Sequence, residues 1–150
     1  MIKVLFVCHG NICRSPMAEF IFKNSVREKG LSDKFYIKSA ATSREEIGND
    51  IYPPAKRKLK EHEIPFDKRE ARQMTMEDYN SFDYIIGMDR NNLRNMLRIV
   101  GEDKDNKLSL IMDYTDTPKD VADPWYTGDF EITYKDILKG CESFLYKITN

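Results

Sequence analysis

The chain has no long apolar run. Its 150 residues are 41% apolar and 33% charged, and no stretch approaches the roughly 20 apolar residues that a membrane span needs. The apolar start, residues 2 to 8, lacks the length and cleavage site of a secretory signal. A basic excess is also missing. With 24 basic against 25 acidic side chains the net charge is −1, which gives no reason to expect a nucleic acid partner. Cysteine is scarce and odd in number, three residues without an export signal. They read as reduced thiols, so the expected compartment is the cytoplasm. Internal repeats, low-complexity segments and linkers are absent, and the length suits one domain spanning 1–150.

What is present alternates in kind. Strand candidates are Ile2–Val7, Phe35–Ser39, Tyr84–Met88 and Lys107–Ile111, each short, apolar or β-branched, and bounded by polar residues. Helix candidates lie between them. The first starts at Ser15-Pro16, with serine as the expected cap and Phe20, Ile21 and Val26 on one side. The second runs from Pro53-Pro54 to about His62, and the third follows Asp89 with Leu93, Leu97 and Val100 at helical spacing. The last begins near Asp129, with Thr133, Ile137, Cys141, Phe144 and Ile148 in one stripe. This order predicts an α/β fold: a parallel sheet covered by helices on both faces, three layers in all.

Ligands in such sheets bind beyond the carboxyl ends of the strands. The stretch "IKVLFVCHGNICRSPM", residues 2–17, places Cys8 at such an end, with a helix start aimed back at it. Gly10 and Asn11 tolerate positive φ, so the loop can turn successive N–H groups inward as an anion cradle. The cradle spans His9, Gly10, Asn11, Ile12, Cys13, Arg14 and Ser15. Arg14 adds a planar fork of donors matched to two oxygens of a phosphate. All three features favour thiolate over thiol at Cys8, which is then placed for in-line attack on phosphorus. An inert buried thiol is the simpler reading of Cys141.

"VCHGNICRSPMAE" resembles the phosphate-binding loop of low-molecular-weight protein tyrosine phosphatases, written C-x5-R-S. The likeness continues through "SAATS" at 39–43, "EARQMT" at 70–75, "FDYIIGMDRNNL" at 82–93 and "DPWY" at 123–126, in order along nearly the whole chain. The resemblance implies a four-stranded parallel sheet and metal-free hydrolysis of phosphotyrosine, with no cofactor. It implies Cys8 as nucleophile, Arg14 as phosphate clamp and Asp123 as general acid. Ser15 would donate its hydroxyl to the thiolate, while Asn11 and Ser39 would hold the loop in shape. The second loop cysteine, Cys13, resembles a resolving thiol for oxidised Cys8; otherwise it is a small apolar residue packed beneath the loop.

Asp123 also has a chemical rationale of its own. Expulsion of a phenoxide is far easier with a proton, and an Asp-Pro turn can hold the acid at a loop tip. Trp125 and Tyr126 either wall the pocket against a phenyl ring or are partly buried loop aromatics. His9 adds some positive charge at low pH rather than forming a catalytic pair with its neighbour Cys8. A zinc site at Cys8, Cys13 and a histidine lacks a fourth ligand at suitable spacing. His62 and the run "KRKLKEHE" read as a solvated helix face.

Two departures from the family pattern stand out. Glu45 occupies the position after Arg44 where the family often has an aromatic residue at the site's mouth, which makes the pocket more open and more acidic. Arg69 stands where a loop-supporting histidine is common; arginine only donates, so the support must be wired differently.

Three rival functions fit the sequence less well. An arsenate reductase of the same fold needs further cysteines in a mobile segment, and 66–105 contains none. A non-catalytic phosphoprotein-binding module would normally have lost the nucleophile, the arginine or the acid. A cysteine–histidine peptidase lacks a suitable histidine. The expected partner is a phosphotyrosine protein or a small phosphate ester, with no nucleic acid and no membrane, and the chain is expected to be a monomer or weak dimer.

Overall fold

A computed structural model describes all 150 residues. Its sheet contains β1 (Ile2–Cys8), β2 (Phe35–Ala41), β3 (Tyr84–Gly87) and β4 (Leu108–Leu110), in the order β2-β1-β3-β4 with every pair parallel. The helices are α1 (Arg14–Glu28), α2 (Pro53–Glu61), α3 (Met76–Ser81), α4 (Arg90–Val100), the single turn α5 (Pro124–Thr127) and α6 (Phe130–Thr149). Parallel neighbours need crossover connections, and helices on both faces bury the strands on both sides. The chain leaves β1 for β2 on one side and returns to β3 on the other. That reversal opens a crevice beyond the carboxyl end of β1, where Cys8 sits.

Strand alternation assigns the two cores. Val4, Phe6 and Cys8 belong to the larger cluster with α1, α2 and α6, while Leu5 and Val7 join the smaller one under α3 and α4. In the larger core Phe22 of α1 packs edge-on against Phe6 and Phe35 and tilts against Phe144 of α6. On the other face Gly87 lets α4 approach. A Cβ there would lie 3.0 Å from Met96 Sδ and 3.2 Å from Asn92 Cβ, so the glycine admits the helix that Asp89 caps.

The structure corrects three local expectations. Helix α1 starts at Arg14 with Cys13 at the cap position and no side-chain cap, so Ser15 is not the cap. Its hydroxyl is engaged inside the loop instead, 3.0 Å from Cys8 Sγ and accepting from Asn11 Nδ2 at 2.8 Å. His62 is only partly solvated. Because α2 packs on α6, its ring stacks on Tyr134 at 3.8 Å between centroids, and Nε2 lies 2.9 Å from Glu131 Oε1. The charged run around it is likewise only partly solvated, for Leu59 is buried and Lys58 bonds Glu61 and Glu131. Helices α3 and α5 had no periodic signal; at six and four residues they are too short to show one. No helix is long and apolar enough to cross a membrane.

Candidate active site

The loop after β1 is shaped by what holds its carbonyls. In a trans peptide the C=O and the next N–H point in opposite directions, so a carbonyl pinned behind the loop turns the following amide to its front. Cys8 O accepts from Thr42 N, and His9 O accepts from Ser43 N and Ser43 Oγ. Asn11 O accepts from Arg69 Nη2 and Ile12 O from Tyr52 N, while Cys13 O accepts from Met17 N as α1 begins. The amides that follow these carbonyls, those of His9, Gly10, Ile12, Cys13 and Arg14, have no acceptor within the protein. They are free to serve an anion. The amides of Asn11 and Ser15 instead approach Cys8 Sγ, each at 3.4 Å.

Asn11 makes the turn with φ 59°, a left-handed conformation that its short polar side chain tolerates. It is fully buried and fully bonded. Nδ2 donates to Ser15 Oγ and Ser39 Oγ, and Oδ1 accepts from Arg72 N. The Ser39 hydroxyl in turn donates a hydrogen bond to Glu19 Oε1 at 2.6 Å. Thus Asn11, Ser15 and Ser39 do lie together behind the loop, with Glu19 as an additional member that sequence reasoning missed. A buried carboxylate one turn along α1 carried no motif of its own.

Arg14 is 2% exposed and held by three acceptors. Nη1 donates to Asp89 Oδ2 at 2.7 Å and to Val121 O at 2.8 Å, and Nη2 reaches Asp123 Oδ2 at 3.5 Å. Burial works against its charge, but Cys8, Asp89 and Asp123 outweigh that and raise its pKa above the ordinary value. Asp89 was expected only as a helix start. It is that, accepting from Asn92 N, and its second oxygen neutralises Arg14. Its place after β3, on the same sheet edge as Cys8, was the signal available.

Asp123 opens α5. Oδ1 accepts from Trp125 N at 3.0 Å, which leaves Oδ2 facing Arg14. Cys8, Cys13, Arg14 and Asp123 line one cavity of about 150 Å³. Its outer wall is made by Trp125 and Tyr126 together with Glu45 and Glu46. Trp125 and Tyr126 are exposed, and Tyr52 backs Trp125 at 4.8 Å between ring centroids. Glu45 is paired with His9, Oε2 to Nε2 at 2.8 Å, so the histidine serves the rim rather than the sulfur. Cys13 is buried, and burial followed by the charge of Cys8 pushes its pKa up to about 12. Cys141 is wholly buried in α6, its pKa raised chiefly by desolvation.

The family model for low molecular weight phosphotyrosine protein phosphatases matches residues 3–150. The chain belongs to this family. It is 41% identical over 150 residues to the low-molecular-weight protein-tyrosine-phosphatase YfkJ of Bacillus subtilis, covering 99% of this chain and 96% of the relative. It is 43% identical to the low molecular weight phosphotyrosine protein phosphatase of Rattus norvegicus, covering 97% and 94%. The crystal structure of YfkJ superposes with a TM-score of 0.96 over 99% of this chain and 95% of that one. That of the Streptococcus pyogenes low molecular weight protein tyrosine phosphatase does so at 0.90 with 44% identity, over 100% and 95%.

One cluster outside the cavity has metal-ligand types, Glu61, His62 and Glu131, with ligand atoms within 4.8 Å of one another. The ammonium of Lys58 already bonds both carboxylates, so the group reads as an α2–α6 clasp.

Proposed function

We propose that the chain hydrolyses phosphotyrosine and small aryl phosphates through a phosphocysteine intermediate. Cys8 is the nucleophile, Arg14 the clamp and Asp123 the acid and then the base. The observation that carries this is the meeting of Cys8, Arg14 and Asp123 at one cavity, although Asp123 is over a hundred residues from the loop. In the first step the Cys8 thiolate forms an S–P bond, the P–O bond to the phenol breaks, and Asp123 gives its proton to the departing oxygen. In the second, Asp123 takes a proton from water, whose oxygen bonds phosphorus as the S–P bond breaks, releasing phosphate and the thiolate.

The free loop amides and Arg14 receive the equatorial oxygens, where charge is concentrated in the transition state. Ser15 Oγ and the Asn11 and Ser15 amides support the sulfur as an anion. Trp125 and Tyr126 offer apolar surface to the phenyl ring. The Asp89 and Val121 contacts fix the Arg14 plane before substrate arrives, so the clamp is preorganised. Within this reading Cys13, protonated at neutral pH, acts as the resolving thiol when Cys8 is oxidised. Phosphotyrosine proteins or small phosphate esters are the substrates, and a monomer or weak dimer suffices because no part of the site is missing from one chain.

The deciding experiment is Cys8→Ser. It should abolish turnover of p-nitrophenyl phosphate and of a phosphotyrosine peptide while the fold and oxyanion binding survive. Substantial residual turnover in that variant would remove Cys8 from the chemistry.

A further inference from the structure

Five hydrogen bonds fix Asn11, and one differs in kind. Four involve neutral donors: its own N–H, its Nδ2 twice, and Arg72 N. The fifth comes from a full cation, Arg69 Nη2, at 2.5 Å from the Asn11 carbonyl oxygen. Among the donors pinning loop carbonyls behind the cradle, Arg69 is the one charged side chain; the others are backbone amides and the Ser43 hydroxyl.

The charge of Arg69 is not cancelled locally. Its guanidinium donates to carbonyls, Asn11 O and, through Nη1, Asn49 O at 3.3 Å. The acids facing it are Glu19 from α1 and Asp50 from the preceding turn, and each already holds a lysine at 2.6 Å, Lys23 and Lys56. The remaining group facing it is the Cys8 sulfur. Burial lowers the pKa of Arg69 against the opposing pull of Glu19, Asp50 and Cys8, yet a guanidinium remains charged at any pH where an enzyme works. The arginine is itself held in place, its backbone N–H donating to Asp50 Oδ1 at 3.2 Å.

A cation on a carbonyl oxygen draws electron density through the amide and makes the attached N–H a stronger donor. The amide whose oxygen Arg69 holds is Asn11–Ile12, and the Ile12 N–H is one of the cradle's free donors. We propose that Arg69 is a positioning residue of the phosphatase, turning the Ile12 N–H to the oxyanion and strengthening it through the Asn11 carbonyl. Its other arm ties the loop to the 49–52 segment, where Tyr52 N pins the next carbonyl, Ile12 O, at 2.9 Å and the Tyr52 ring backs Trp125. One side chain thus couples the anion cradle to the aromatic wall. This inference builds on the proposed phosphatase reading, because the oxyanion it serves is the phosphoryl group.

The test compares Arg69→Lys, which keeps the charge, with Arg69→Gln, which keeps a donor without it. Orthovanadate is the probe, measured by its inhibition constant and by direct calorimetry, with melting temperature alongside. Arg69→Gln should bind vanadate several-fold more weakly, because the Ile12 N–H loses the cation that turns and polarises it. Its kcat/KM for p-nitrophenyl phosphate should fall in parallel, and the pH profile of Cys8 alkylation by iodoacetamide should move to higher pH. Arg69→Lys should recover most of the vanadate affinity and the alkylation profile. Equal losses in both variants would assign Arg69 to packing, and wild-type vanadate binding in Arg69→Gln would make it a surface tether; either result overturns the proposal. If Arg69→Gln does not fold, Arg69→Lys alone decides, because near-wild-type vanadate affinity is required of it. Failure of the phosphatase reading would show separately, as a wild-type chain that turns over no aryl phosphate.

Discussion

Replacing Asp123 by Asn isolates its proton from its structural work. Asp123 has two tasks on two oxygens: Oδ1 caps α5 by accepting from Trp125 N at 3.0 Å, and Oδ2 faces Arg14 and the cavity. Alanine would remove both. Losing an N-cap costs about 1 kcal/mol, and in a chain of this size that lowers the melting temperature by roughly 2–4 °C. Asparagine caps as well as aspartate, so Asp123→Asn should melt within about a degree of the wild type while lacking a transferable proton. Positioned general acids contribute roughly 10²- to 10⁴-fold, and the contribution grows with the basicity of the leaving group. A phosphotyrosine peptide, whose phenol has an ordinary pKa of about 10, should therefore lose about a hundredfold or more in kcat/KM. A dinitrophenyl phosphate, whose leaving group departs without help, should lose less than about tenfold. The assay is kcat/KM across a series of aryl phosphates, plotted against leaving-group pKa for both proteins. The variant's line should be markedly steeper. Parallel lines, with one loss across the series, would refute the assignment and leave Asp123 as a cap and a partner for Arg14.

Cys13→Ser should begin with near-normal activity but lose it to peroxide in a form that dithiothreitol does not restore, whereas the wild type recovers through a Cys8–Cys13 bond visible by mass spectrometry; equal recovery would reduce Cys13 to packing. Glu45→Tyr should raise kcat/KM for phosphotyrosine peptides, most for acidic ones, because it removes a carboxylate from the cavity rim and adds a stacking surface; unchanged kinetics would place Glu45 outside the substrate's reach. Hydrogen bonds from His62 and Lys58 depress the pKa of Glu131 to about 2, so its stabilising contribution is complete above the unfolded value near 4.5 and is lost as pH falls through about 2. Glu131→Gln should lower the melting temperature at neutral pH and flatten its decline between those limits, and a variant with the wild-type acid profile would show that the clasp does not couple to folding.

Local chemistry along the chain was enough to determine the strand–loop–helix frame around Cys8. A buried strand, a Gly-Asn turn and a proline-led helix are each specified by neighbours a few residues apart, and a parallel sheet follows from their alternation. The same order along the chain placed Cys8 at a carboxyl strand edge, and so at the mouth of the site. What only the tertiary structure decided were the partners of charges and hydroxyls. Asp89 looked like a helix cap and is also the counter-ion of Arg14, 75 residues away. Ser15 looked like both a cap and a partner of the sulfur; the fold keeps only the second, because α1 starts one residue earlier with Cys13 at the cap position. His62 looked solvated and is stacked between helices. Glu19 and Arg69 reach the loop from α1 and from the irregular stretch before Ala71, with no periodicity to mark them; only the family resemblance had singled out Arg69. Sequence patterns report which face of an element is buried, because burial follows the helix or strand period. A polar side chain's partner depends on where two distant elements cross, and that geometry is set by the packing of the core rather than by any residue near the pair.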